Sequence, residues 1–353
     1  MTRRIFEDAI DAAIADAMAS DERVVLFGLD VPMLRAGLYA RFGEGRVLGA
    51  PISEGAYLTA AVGAAMAGLR PVVEIMMVDF MGVALDALLN HAAKLEGFTH
   101  GRWRCPLVVR TACGAGYGDG GQHGQTLWGL LAGIPGLTVV APSTPDDAYG
   151  LMASALAHDG PVVLLEHKLL TKNWLEFVGS GGRAGLSFDV PADGHEGEVS
   201  GRPVPFGKAV VRRRGDDVTL VSLGVGVHRA LAAAELLAAE GISAEVLDLR
   251  SVLPLDEGAV LASVRRTGRL LVVDEDYRRF GLSGELAAVV AEHGVAARFA
   301  RVCTDDTIPF ARHLEAAALP SVARVVTEVR RLVDARAPAK RSATAPSAVE
   351  TAH

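Results

Sequence analysis

Short apolar runs rich in β-branched residues alternate along this chain with longer stretches whose apolar positions recur at helical spacing. VVLF (24–27), PVVEI (71–75), PLVV (106–109), LTVVA (137–141) and PVVLL (161–165) read as strands bounded by Gly or Pro. Helical patterns lie between and around them at 5–19, 54–68, 79–96 and 145–157. Such alternation predicts an α/β fold with a parallel sheet covered by helices. The helix at 145 carries a start signal: Thr144 can cap it, Pro145 suits its first turn and Asp147 completes a capping-box pattern.

The pattern breaks after Lys168. Residues 172–205 are rich in Gly and Pro, hold few periodic apolar positions, and read as an extended linker. A second α/β unit follows, with strands predicted at 218–222, 243–249, 269–274 and 297–303. Its helices are predicted at 226–240, 255–265, 282–293 and 320–335. The expected organisation is therefore two doubly wound domains, 1–171 and 206–335, joined by the linker at 172–205. A tail, 336–353, has the composition of a disordered segment.

Length supports two domains, since 353 residues are too many for one ordinary core. Half the residues are apolar and 22% are charged, enough to build large cores. A net charge of −7 argues against a nucleic-acid or anionic-membrane surface. Cys105, Cys113 and Cys303 form no C-x-x-C pair, which argues against a disulfide framework or zinc site and suggests a cytoplasmic setting. The acids in the first helical stretch do not fit a signal peptide. The uncharged stretch from Gly55 to Leu69 is shorter than the roughly 20 residues of a membrane span. It reads as a helix buried on all sides.

Glu54 stands alone at the head of that stretch. It is either a first-turn acid complementing the helix dipole or an acid kept for chemistry. Two glycine motifs invite claims and carry little. Gly118-Asp119-Gly120 begins like a thiamine diphosphate motif, but neither Asn90 nor Asn173 lies where the metal-binding Asn would be needed. Gly224-Val225-Gly226 follows a strand, but Arg229 replaces the third glycine of a dinucleotide fingerprint; a tight strand–helix turn is the expectation. Asp274, Glu275 and Asp276 read as a solvated strand end.

Longer matches are more specific. PISEGAYLTAAVGAAMAGLRPVVE, DALLNHAAK, GGQHGQ, PGLTVVAPSTPDDAYGL, PVVLLEHKLL, VTLVSLGVGVHRALAAAELL, VLDLRSVLPLD and FGLSGE occur in one order over roughly residues 3–333. In this the chain resembles beta subunits of two-chain thiamine-dependent 2-oxo acid dehydrogenases. The resemblance implies a transketolase-like pyrimidine-binding domain followed by a transketolase C-terminal-like domain. It implies thiamine diphosphate held between this chain and an alpha subunit, which supplies Mg²⁺, in an α₂β₂ heterotetramer. It also implies a 2-oxo acid substrate, with pyruvate leading, and a lipoyl-bearing dihydrolipoyl acyltransferase as acceptor.

Residue by residue, the resemblance places Glu54 at the aminopyrimidine ring nitrogen, where a carboxylic acid favours the tautomer that activates the cofactor. It places His123 beside the reacting carbon, where imidazole can handle protons near pH 7. Met76 and Phe80 match positions packed on the pyrimidine, with Asp79 expected as a helix cap beside them. Leu107, Ala155, Leu156, His158 and Gly160 match main-chain positions that hold potassium in some relatives. The small residues from Ala60 to Gly68 suggest a subunit interface. The second domain is assigned no catalytic residue. A two-chain transketolase-like or acyloin-forming transferase that does not use lipoamide, and a non-catalytic assembly subunit, remain the alternatives.

Overall fold

In a strand covered on both faces, every side chain must find a buried place, so continuous apolar runs go to the middle of a sheet. That is where the first apolar runs lie in the computed structural model, which describes residues 1–172 and 192–334. Its first strands are β1 (Thr2–Ile5), β2 (Val24–Leu29), β3 (Val47–Ala50), β4 (Arg70–Met77), β5 (Val108–Cys113), β6 (Thr138–Val140) and β7 (Val162–His167). They are followed by β8 (Glu196–Val199), β9 (Val210–Arg213), β10 (Val218–Ser222), β11 (Ala244–Asp248), β12 (Ser251–Leu253), β13 (Arg269–Tyr277) and β14 (Arg298–Thr304). A seven-stranded sheet runs β12-β6-β7-β5-β4-β2-β3, parallel except for β12. A five-stranded sheet runs β14-β13-β10-β11-β9, parallel except for β9. The predicted fold class is what the chain adopts.

Helices cover both sheets. Those that matter below are α1 (Phe6–Ser20), α2 (Glu54–Met66), α3 (Met81–Asp86), α4 (Trp128–Ala132) and α5 (Pro145–Ala157). In the second unit they are α6 (Val225–Ala238), α7 (Glu257–Thr267), α8 (Leu282–Glu292), α9 (Arg312–Ala318) and α10 (Val322–Asp334). Phe6, Ile10 and Ile14 of α1 share one core with Leu151 and Met152 of α5 on one face of the first sheet. The opposite face packs Leu58, Ala61 and Leu88. That second core continues through Trp128 to Leu223, Leu247 and Leu282 of the second unit. The two units are thus joined by apolar packing, and β12 adds a strand from beyond residue 250 to the first sheet.

Several expectations change. The stretch at 79–96 is not one regular helix: a 3₁₀ turn at Val78–Phe80 leads into α3, then a π-helical turn at Ala87–Ala92. Linker residues 196–199 form β8, which pairs with β1; residues 173–191 and the tail from 335 lie outside the described residues. Helix α2 is not buried all round, because Ala56, Thr59, Ala60, Gly63 and Met66 form an exposed face. Thr144 does cap α5, accepting from the Asp147 N–H at 3.2 Å. The Gly224 region is a tight turn, with Gly224 at φ +53° directly before α6.

Candidate active site

The carboxyl end of β4 and the loop after β5 meet above the first sheet. β4 ends in the turn that carries Asp79 and Phe80, and the glycine-dense loop carries His123. The Phe80 and His123 rings meet edge to face, centroids 5.7 Å apart. Asp79 is not a helix cap: its Oδ1 accepts from the Gln125 Nε2 at 2.8 Å and from the Gln125 backbone N–H at 3.3 Å. Tyr277 of β13 donates its hydroxyl to Gln125 Oε1 at 3.0 Å. Buried Lys168 donates to the His123 carbonyl and lies over the Tyr117 ring. Burial pulls the Lys168 ammonium below its usual range. The His123 Nδ1 lies 3.3 Å from the Asp119 carbonyl, which suits the tautomer protonated on Nδ1.

The loop's glycines have a second use. Gly114, Gly116, Gly118 and Gly120 all take positive φ, between +73° and +116°. Alternation of left- and right-handed backbone turns neighbouring N–H groups to one side and makes a nest for anions. Here the anions are carboxylates from the second unit. Glu315 of α9 accepts from Gly116 N–H at 3.0 Å and from Gly118 N–H at 2.9 Å. Glu275 of β13 accepts from Ala115 N–H at 2.9 Å. Gly118-Asp119-Gly120 is therefore part of a loop clamped by protein carboxylates. Among the described residues, no cluster of three or more His, Cys, Asp or Glu could hold a metal ion.

Glu54 is the first residue of α2 and is 7% exposed. Among the described residues it has no hydrogen-bond or salt-bridge partner. Gly55 lets the head of α2 approach α3, since a Cβ there would lie 2.9 Å from the Val83 carbonyl. Burial first, and then the Glu54 carboxylate, push the Tyr57 phenol well above its usual range. The Glu54 carboxylate oxygens are not among the solvent-excluded atoms left without a partner, so the acid stands at the edge of solvent where another molecule can reach it, and the site fits a group that shares a proton with Glu54. Met76 lines a cavity of about 440 Å³ with Met33, Met77, Arg35, Glu74 and Glu166. The guanidinium of Arg35 pairs there with Glu74 at 2.6 and 2.9 Å. The ring contact joins Phe80 to His123; Glu54 and Met76 make no hydrogen bond to either.

The positions matched to potassium gather where α5 ends beside β5 and β7. Four of the five main-chain oxygens, all but that of Gly160, have donors among the described residues: Leu107 from Val162 at 2.9 Å and Ala155 from His158 at 3.2 Å. Arg70 donates to the Leu156 carbonyl at 3.0 Å and to the His158 carbonyl at 2.6 Å. A cation at a helix C-terminus is favourable, and a guanidinium fills that need here. Potassium would have to share these carbonyls with Arg70.

The three acids closing β13 are buried, not solvated. Asp274 accepts from Trp128 Nε1 at 2.9 Å, and Asp276 from Gly129 N–H at 2.8 Å. Burial, with Asp276 nearby, raises the Asp274 carboxyl to about 7. Glu275 lies between His167 Nε2 at 2.9 Å and Arg229 Nη1 at 2.5 Å. Burial opposes its ionisation, but His167 and Arg229 outweigh that and hold the carboxyl well below its usual range. His167 Nδ1 accepts from Leu169 N–H, which leaves the proton on Nε2 for Glu275. Sequence reading missed Glu275, Glu315 and Lys168; the glycine spacing of the loop was the available signal for an anion partner.

The fold and this junction define a transketolase-like protein. The transketolase pyrimidine binding domain matches residues 5–173 and the transketolase C-terminal domain residues 207–325. A solved split-gene transketolase, an inactive beta4 tetramer, superposes with a TM-score of 0.73 at 21% identity, covering 93% of this chain and 98% of that one. Sequence relatives are closer. The beta subunit of acetoin:2,6-dichlorophenolindophenol oxidoreductase from Cupriavidus necator is 40% identical, over 92% of this chain and 95% of that one. The 2-oxoisovalerate dehydrogenase beta subunit of Bacillus subtilis is 39% identical, over 81% of this chain and 84% of that one. The pyruvate dehydrogenase E1 beta subunit of Rickettsia bellii is 36% identical, over 92% and 97%. The chain belongs to this family of 2-oxo acid and acetoin dehydrogenase beta subunits.

Proposed function

We propose that this chain is the pyrimidine-binding half of a thiamine-diphosphate enzyme, completed by an alpha subunit that holds the diphosphate and Mg²⁺. The pair would decarboxylate a 2-oxo acid and pass the acyl group to a lipoyl-bearing acyltransferase. The observation that carries this reading is Glu54, a largely covered acid at the head of a helix with no hydrogen-bond or salt-bridge partner among the described residues. Bound thiamine would supply the carbon that attacks the substrate carbonyl. Glu54 would share a proton with the pyrimidine ring nitrogen. Phe80 would pack on the ring and exclude water, with Met76 as a second apolar wall. His123 would hold or release a proton at Nε2 while Nδ1 stays on the Asp119 carbonyl.

Pyruvate leads as substrate, with branched-chain 2-oxo acids next. The acetoin names among the relatives favour a second reading, in which the bond broken lies in an acyloin and lipoamide is not the acceptor. One experiment separates them: the chain is co-purified with its alpha partner and screened for thiamine-dependent turnover of pyruvate, branched-chain 2-oxo acids and acetoin. Lipoamide and dichlorophenolindophenol serve as alternative acceptors. Turnover by the pair and not by either chain alone is expected. Absence of thiamine-dependent turnover with every substrate would overturn the reading.

A further inference from the structure

The residue proposed to move protons sits on a loop that glycine makes soft. Backbone of this kind samples many conformations unless it is tied, and a displaced catalytic group loses rate steeply. Lys168 and Asp79 tie the loop's far end to the first unit, and the ties on its near end come from the second unit. Glu315 takes both Gly116 N–H and Gly118 N–H, one on each carboxylate oxygen. Its own charge is matched by Arg312, whose Nη1 lies 2.9 Å from Oε2. Ala115 packs with Ile308 and Leu319, the residues flanking that segment, and the Phe310 ring lies against Gly120, where a Cβ would come within 2.7 Å.

The connection to the imidazole is short. Gly118, held by Glu315, precedes Asp119, and the Asp119 carbonyl is the partner of His123 Nδ1. Fixing Gly118 therefore fixes the carbonyl that selects the histidine tautomer and leaves Nε2 for the reaction. We propose that Glu315, with Arg312 behind it, is a positioning residue for His123, so that the second domain sets the geometry of the catalytic loop. The inference rests on the assignment of His123 above and assigns Glu315 no contact with substrate.

Glu315→Gln tests it in the alpha–beta complex, because the amide keeps the shape but replaces one acceptor oxygen with a donor. Hydrogen exchange followed by mass spectrometry should show faster exchange in the 113–125 segment, with the melting temperature close to wild type. Lipoamide-linked kcat should fall on the order of 10- to 100-fold, with KM for the 2-oxo acid unchanged and the pH profile of kcat displaced. Glu315→Asp should recover part of the rate. Should the Gln variant fail to fold, Arg312→Gln is expected to give the same pattern more weakly. Wild-type exchange in that segment together with wild-type kcat would overturn the proposal, as would a fall in kcat with the exchange and pH profile unmoved. The exchange arm needs no turnover, so an inactive wild-type complex would count against the proposed function and leave this test decisive.

Discussion

An ionised carboxylate buried without a hydrogen-bond donor is expensive, and such a group persists where another molecule completes it or where it must change protonation. Glu54 has no donor among the described residues but keeps its oxygens within reach of solvent, whereas Glu74, Glu166 and Glu275 each have an arginine. The contrast is the one the proposed role of Glu54 requires: acids used for structure are paired, and the proposed proton-sharing acid is not. Glu54→Gln keeps the size and removes the shared proton. Turnover by the alpha–beta pair should fall by about 10²–10⁴-fold, the range for loss of a proton-transfer group, while the complex still forms and melts no lower than wild type. Near-wild-type kcat in a steady-state assay would remove Glu54 from the mechanism. The acid stood out in the sequence because nothing charged follows it before Arg70, but the pattern left a helix-dipole role equally open and the proposed chemistry came from the resemblance. His123 was legible only through the resemblance, since a histidine in a glycine loop has no local signature.

Elements were legible where one period dominates. β10 and α5 lie at the positions their apolar patterns predict, because each buries a face against a sheet or helix whose own pattern is equally regular. The end of β13 was misread for the opposite reason. Three consecutive acids look solvated to any local reading, and their burial is decided by Trp128 and Gly129, far away in the chain. β12 and β8 escaped notice because they are only three and four residues long, too short to show a period. The misread element has a measurable consequence. Asp274 titrates near 7 when folded, against an ordinary value of 3.8. Between these values the unfolded chain has released the proton and the folded one has kept it. The Asp274 contribution to stability is thus fully present below about pH 4 and is lost as pH rises towards 7. Glu275 acts in the reverse sense, its contribution being present above the usual carboxyl range and lost on strong acidification. Asp274→Asn retains an oxygen for Trp128 and cannot ionise. Its urea midpoint should exceed wild type at pH 7 to 8, and the fall in stability between about pH 4 and 7 should flatten. A wild-type pH dependence in the variant would show that another group controls it.

At the scale of the molecule, one apolar core runs through both sheets, and β12 pairs across the boundary. Apolar residues such as Phe98, Phe280 and Phe310 stay exposed elsewhere, but one uncovered apolar face lies beside Glu54. Ala56, Thr59, Ala60, Gly63 and Met66 recur at helical spacing along the outer face of α2, the helix that begins at Glu54. Nearby Ile52 and Val83 are 79% and 72% exposed. Small residues let another backbone come close, and an apolar face beside an incomplete site suits a subunit that completes it. Gly63 separates assembly from folding, because a Cβ added there meets nothing within 4 Å among the described residues. In the helix interior, Gly63→Glu should gain a few tenths of a kcal/mol of helix propensity, not lose stability. Placed in a close-packed interface, the same carboxylate would be desolvated without a partner, at a cost of several kcal/mol. The variant chain should keep its circular-dichroism spectrum and melting temperature when studied alone, yet sediment as a smaller species than wild type when mixed with the alpha subunit, with turnover falling in proportion. Sedimentation indistinguishable from wild type would place the interface elsewhere and leave Glu54 to find its partner across another face.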